Sequence, residues 1–215
     1  MTKLIDRITV NAQSSIRIDS GKILRFDPFL LKEEPHDADV IFITHSHPDH
    51  FSPEDIKKVS KPETLFVAPE SMKPDIEKAG IAAEKCLFVN PGESAEIAGV
   101  SFKALPAYNI GRPFHTPESR WVGYAVELEG ELVYAAGDTD GLDEIAALPI
   151  TIALMPVGGK FTTDAREAAE FINRMKPKIA VPIHFGGMPG TASADREFIA
   201  AVKPTVKVVR KLLLE

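Results

Sequence analysis

One cysteine, one tryptophan and three tyrosines in 215 residues are the scarcest features of this chain. With Cys86 alone no intramolecular disulfide can form, which excludes a small cross-linked scaffold. Cys86 sits in Lys85-Cys86-Leu87-Phe88-Val89 and reads as a buried structural thiol on a strand. No window approaches about 18 consecutive apolar residues, so no membrane-crossing helix is expected. The start, Met1-Thr2-Lys3-Leu4-Ile5-Asp6, has an acidic break where a signal peptide needs an apolar stretch, and the expected location is cytoplasmic. Basic runs are also missing. The formal net charge is −6, which argues against a nucleic-acid partner and for a small-molecule substrate. Whether the chain self-associates as a homo-oligomer stays open at this level.

What is present is a substantial core and a dense cluster of metal-binding side chains. Hydrophobic residues make up 44% of the chain, enough for one large domain or two small ones, and no linker or repeat divides it. The expectation is a single domain over 1–215. Three of the six histidines and one aspartate fall within His45-Ser46-His47-Pro48-Asp49-His50, directly behind the apolar run Val40-Ile41-Phe42-Ile43. Imidazole nitrogens with a carboxylate suit a borderline divalent ion, zinc by default, with manganese or iron also able to accept the set. His45 and His47, at i and i+2 of an extended loop, can face one ion. Pro48 keeps His47 out of helical geometry, and the turn after it lets Asp49 and His50 address a second. Ser52-Pro53-Glu54-Asp55 then reads as a helix start.

Short β-type runs and turns predict an antiparallel meander over Ile8–Val10, Ser15–Ile18 and Ile23–Phe26, followed by a β-α-β-α stretch with strands at Val40–Thr44 and Leu65–Ala68. Strands return at Cys86–Val89, Ala95–Ile97, Val100–Leu105, Val122–Leu128 and Glu131–Ala135. The last third alternates helices at Leu142–Ala147, Asp164–Met175 and Ala194–Val202 with strands at Ile152–Met155, Ile179–Ile183 and Val206–Val209. Meander followed by αβ units, twice over, predicts an α/β (α+β) fold: a four-layer αββα sandwich of two mixed β-sheets with helices outside. Two further polar groups follow apolar strands: Gly137-Asp138-Thr139-Asp140 and His184-Phe185-Gly186-Gly187. Taken singly, Asp138 is an ordinary turn residue and His184 an ordinary strand-end histidine. Sites gather outside strand ends, so Asp138 and His184 are expected to converge on the His45–His50 loop.

On His45-x-His47-x-Asp49-His50, Gly137-Asp138-Thr139 and His184, in that order along nearly the whole chain, the sequence resembles the metallo-β-lactamase-fold hydrolases. Tyr134-Ala135-Ala136-Gly137-Asp138-Thr139-Asp140 and Met155-Pro156-Val157-Gly158-Gly159 are most similar to the small branch that includes ascorbate-phosphate-lactonase-like enzymes. The resemblance implies two divalent metal ions: His45 and His47 on one, Asp49, His50 and His184 on the other, Asp138 bridging. Related sequences often place a further histidine near position 109. Here Asn109 stands there and His115 is the histidine available, so either His115 completes the first site or that site has one protein ligand fewer. His47, where di-iron redox members carry glutamate, favours hydrolysis.

The expected activity is therefore that of a metal-dependent hydrolase, with hydroxide generated on the metals and Asp49 orienting it, acting on a small ester, lactone or phosphodiester. Tyr108, Asn109 and Arg112 are candidate substrate contacts, the arginine for an anionic group. Trp121 reads as packing. The alternative is a metal-binding or sensor protein of the same fold with little or no catalysis, which Asn109 keeps in play.

Overall fold

Residues 3–187 and 193–213 are described by a computed structural model. After a short 3-10 turn, the strands β1 (Ile8–Val10), β2 (Ile16–Asp19) and β3 (Ile23–Phe26) form the expected antiparallel meander. β4 (Ala38–Phe42) then runs parallel to β3 and leads through the histidine loop into α1 (Pro53–Val59). Ser52 caps that helix by accepting from the Asp55 N–H. β5 (Ser60–Pro69), α2 (Lys73–Lys78) and β6 (Cys86–Val89) complete a six-stranded sheet in the order β1-β2-β3-β4-β5-β6, parallel from β3 onward. β5 is longer than the apolar pattern indicated, because Ser60 pairs with Ala38 across an irregularity in the ladder. The Thr64 hydroxyl donates to the Ala38 carbonyl there, so polar residues hold the first half of the strand in place.

The second sheet repeats the plan. β7 (Ser94–Ile97), β8 (Val100–Pro106), β9 (Val122–Leu128) and β10 (Glu131–Ala135) are antiparallel neighbours. After α3 (Asp143–Ala146), the strands β11 (Ile152–Pro156), β12 (Ile179–Ile183) and β13 (Lys207–Val208) add in parallel, with α4 (Ala165–Met175) and α5 (Ala194–Ala201) between them. The order is β13-β12-β11-β10-β9-β8-β7. All five residues of β11 and of β12 are buried, as parallel strands covered on both faces should be.

Alternation along β4 divides the core. Val40 and Phe42 join a cluster shared with the second sheet, whereas Ala38, Ile41 and Ile43 pack with Ile56 and Val59 of α1 and Ile76 of α2 on the other side. Phe42 stacks on Phe26 at 4.8 Å and meets Phe102 and Tyr124 of the facing sheet edge-on at 5.3 and 5.0 Å. The Tyr124 hydroxyl also donates to the Ile43 carbonyl at 2.7 Å, and the Val122 N–H donates to the Thr44 carbonyl. Both bonds cross from β9 to the two residues just ahead of the histidine loop, so the strand end that carries it is tied to the facing sheet. The architecture is the expected pair of mixed sheets with helices. Cys86 departs from expectation: it is only partly buried, although burial still pushes its thiol up to about 12.

Candidate metal centre

Loops from both sheets meet at one end of the strands. The His45–His50 loop leaves β4, Asp138 follows β10, His184 follows β12, and His115 lies in the connection from β8 to β9. Gly137 makes the approach possible. Its φ is +66°, and an added Cβ would lie 3.0 Å from the Thr44 side chain. His115 and His184 themselves take φ values of +41° and +56°, a strained backbone for non-glycine residues and a feature that concentrates at functional sites.

Ligand-type atoms fall into three overlapping groups: His45, His47 and His115; His45, His50 and Asp138; and Asp49, His50 and His184, with the atoms of each group within 4.8 Å of one another. Asp138 faces two ways. Its Oδ1 is 3.4 Å from His50 Nε2 and 3.3 Å from His184 Nε2, while Oδ2 is 3.5 Å from His115 Nε2. Asp49 Oδ2 lies 3.3 Å from His184 Nε2. His45 Nε2 and His47 Nδ1 are 3.2 Å apart, close to the roughly 3.3 Å that two ligands of a tetrahedral zinc would show.

Outer hydrogen bonds determine which nitrogens are free. Asp27, just after β3, receives the Thr44 N–H on Oδ1 at 2.8 Å, and both the Thr44 hydroxyl and His50 Nδ1–H on Oδ2 at 2.6 and 2.7 Å. Its proton committed to Asp27, the Thr44 oxygen can only accept from His45 Nδ1–H at 3.0 Å. This turns His45 Nε2 and His50 Nε2 toward the centre of the site. Asn109 performs the same service for His115. Its amide nitrogen donates to Asp140, which turns Oδ1 toward His115 Nδ1 at 3.1 Å. Among the described residues, the buried polar atoms without a hydrogen-bond partner include His50 Nε2, His115 Nε2, Asp138 Oδ1 and both ring nitrogens of His184. Orphaned atoms are costly unless something fills the space between them, and a cluster of this chemistry fits divalent cations.

Burial and local charge set the protonation states. Burial drives His45 well below the usual imidazole range, lowers His47 less, and takes His115 down to about 4. Burial also opposes charge on His50, but the Asp138 and Asp27 carboxylates outweigh it and hold the ring well above its ordinary value. Asp138 is buried too, yet His184 and His50 keep it well below the carboxylate range. Burial thus favours the neutral ring at His45, His47 and His115, whereas the carboxylates of Asp138 and Asp27 favour the charged ring at His50.

Above the cluster opens a cleft of about 420 Å³ lined by Phe29, His47, Pro48, Asp49, Phe114, Asp138 and Phe161. The three candidate substrate contacts lie outside that lining. Tyr108 packs against the core, and its main chain bonds with Thr139 and Asp140. Asn109 is spent on His115 and Asp140. Arg112 grips both oxygens of Glu167 at 2.7 Å, donates to the Thr162 carbonyl at 2.6 Å and lies 3.3 Å from Asp140, so it braces two loops instead of facing the cleft. Several participants had no signal in the sequence. Among them are Asp27 and the three phenylalanines of the lining. Trp121, read as packing, sets its ring 4.8, 5.0 and 5.5 Å from those of His45, His47 and His115, a wall against the first cluster.

Comparison with known proteins gives the family and the fold. Residues 7–184 match the family model of the beta-lactamase superfamily domain. A metal-dependent hydrolase of Thermococcus kodakarensis is 32% identical over 212 residues, covering 89% of this chain and 90% of its own. A solved structure from Parabacteroides distasonis, described as a metal-dependent hydrolase, superposes with a TM-score of 0.78 at 29% identity over 95% of this chain and 91% of its own. A metallo hydrolase of Ignicoccus hospitalis has the same fold, with a TM-score of 0.77 at 22% identity, over 97% of this chain and 95% of its own.

Proposed function

The chain belongs to the beta-lactamase superfamily and is a metal-dependent hydrolase; from that premise we propose that it works through a dinuclear centre, zinc by default, on a small ester, lactone or phosphodiester. The observation that carries the dinuclear reading is the division of Asp138, with Oδ1 toward His50 and His184 and Oδ2 toward His115. In this reading His45, His47 and His115 would hold one ion and Asp49, His50 and His184 the other, with Asp138 within reach of both sets. When bound, two such ions would make a hydroxide nucleophile available at neutral pH and polarise the oxygen of the scissile bond.

The protein's own groups do the rest. Asp49 has a side chain 25% exposed, against 3% or less for His50, Asp138 and His184, and it lines the cleft, so it is the carboxylate best placed to orient water and take its proton. Burial pushes its carboxyl up, but bonding to His184 and the charge of His50 bring it below the usual value, which keeps it a proton acceptor at neutral pH. Thr44, Asp27 and Asn109 hold the rings. Because both sheets contribute ligands, the whole chain acts as one catalytic unit, and the proposal includes a cytoplasmic location. No helix among the described residues is long and apolar enough to cross a membrane.

The test is metal content per chain on protein purified without added metal, together with turnover of a lactone and phosphodiester panel before and after chelation. Close to two ions and chelator-sensitive turnover are expected. One tightly held ion without turnover would favour the metal-binding alternative, and no bound metal with no activity after metal is supplied would sink the reading.

A further inference from the structure

The walls of the cleft are as distinctive as its floor. Phe29, Phe114 and Phe161, with Pro48, surround an opening whose polar lining consists of His47, Asp49 and Asp138. No lysine or arginine is among those lining residues, and Arg112 is committed to Glu167, Thr162 and Asp140. Lys160 lies with its Nζ 4.9 Å from the centre of the Phe161 ring. A distal anionic group in the cleft would meet apolar walls and find no lysine or arginine among those lining residues. An aryl or branched alkyl group would meet ring faces.

The rings are held in position. Phe114 comes from the β8–β9 connection and Phe161 from the loop ahead of α4, and they meet edge-on with centroids 4.7 Å apart. Arg112 ties those same two loops together through Glu167 and the Thr162 carbonyl. On the opposite wall, the Phe29 N–H donates to Ser15 Oγ and its carbonyl receives the Asn11 side chain, while Asp55 takes the N–H groups of Leu30 and Leu31. Phe114 is nonetheless 41% exposed, and its loop neighbour Ile110 is 64% exposed. One exposed and two half-buried rings on braced loops beside a metal-type site suit a ligand that covers them.

We propose that Phe29, Phe114 and Phe161 form a subsite for an uncharged aryl or branched alkyl arm, so that the substrate is a hydrophobic ester or lactone and not a phosphodiester or carboxylate-bearing compound. This rests on the hydrolase reading above. Water is consumed, its oxygen joins the acyl carbon, the acyl C–O bond breaks, and the departing alkoxide takes a proton to leave an alcohol and a carboxylic acid. The subsite contributes by fixing the arm against the ring faces, beside the part of the cleft lined by His47, Asp49 and Asp138.

The experiment uses metal-loaded protein and γ-lactones bearing hydrogen, phenyl or carboxylate on the ring, beside a simple phosphodiester. The expected kcat/KM for the phenyl lactone exceeds that for the unsubstituted ring by about tenfold or more, the scale on which apolar pockets discriminate. That ratio falls toward one in Phe161→Ala and in Phe114→Ala, both partly exposed positions whose truncation leaves the core intact, with metal content checked alongside. A flat ratio in the wild type, or a preference for the carboxylate lactone or the phosphodiester, overturns the subsite. Ligand-observed NMR with phenylacetamide and acetamide separates the two readings. Selective contact with the phenyl compound that is lost in Phe161→Ala, without turnover of any substrate, keeps the subsite and defeats the hydrolase; turnover without selective contact does the reverse.

Discussion

Asn109 stands where a metal-binding histidine was a reasonable expectation, and its side chain instead holds the ring of His115. Asp140 can only accept hydrogen bonds, so it fixes the amide with nitrogen toward itself and oxygen toward His115. That oxygen keeps the His115 proton on Nδ1 and leaves Nε2 bare, 3.5 Å from Asp138. Partners of this kind hold the ring and its tautomer, and losing one typically weakens metal affinity by about 10- to 100-fold. Asn109→Ala is therefore expected to weaken one of two zinc-binding steps by about that factor, and His115→Ala to abolish the same step, both read by competition with a chromogenic chelator. Unchanged affinity in both variants would remove His115 from the centre and return the first site to a two-histidine set.

At the scale of strands and helices, the joint between β2, β3 and β4 rests on one carboxylate. Asp37, just before β4, receives Arg17 Nε at 3.0 Å and Arg25 Nη2 at 2.8 Å. Burial pushes its carboxyl up, but the two arginines prevail, and the folded pKa lies below its usual value. A depressed carboxylate contributes its full stability above the unfolded pKa of about 3.9 and loses it as pH falls through the folded value. Asp37→Asn should then be less stable than the wild type at pH 7, with the difference shrinking below about pH 4, as urea midpoints at several pH values would show. A constant difference would mean the pair contributes through shape and not charge. This ion pair was not legible in the sequence, because its partners are 12 and 20 residues away and meet only through strand pairing. The strands themselves were legible, since apolar runs such as Ile152–Met155 and Ile179–Ile183 have few other fates. The same contrast holds at the site. The histidine loop could be read because chelation by neighbouring residues leaves a local pattern. Asp27 and the phenylalanines of the cleft arrive from separate loops, and only the assembled sheets bring them together.

For the molecule as a whole, the site is where the two sheets are joined. His45, His47, Asp49 and His50 belong to the end of β4 in the first sheet, and Asp138 and His184 to the ends of β10 and β12 in the second. The polypeptide makes few polar links across that seam, among them Tyr124 to Ile43, Val122 to Thr44, and the His184 N–H to the Gln13 carbonyl. Ions held as proposed would cross-link the layers, and the metal-free protein must instead keep buried, unpartnered imidazoles and a carboxylate facing one another. Ligand that binds only the folded chain adds about 4 kcal/mol when it is present at 1,000 times its Kd. For a chain of this size each kcal/mol moves Tm by roughly 2–4 °C. Chelation is therefore expected to lower the calorimetric Tm by about 10 °C or more, with recovery on adding zinc, and to leave a single transition because the aromatic core shared by the two sheets still joins them. A Tm indifferent to chelation would mean that no ion holds the seam. A split into two transitions on metal removal would show that the sheets unfold separately once the clamp is gone, which places the cooperativity of the sandwich in the metal centre and not in the aromatic core between its layers.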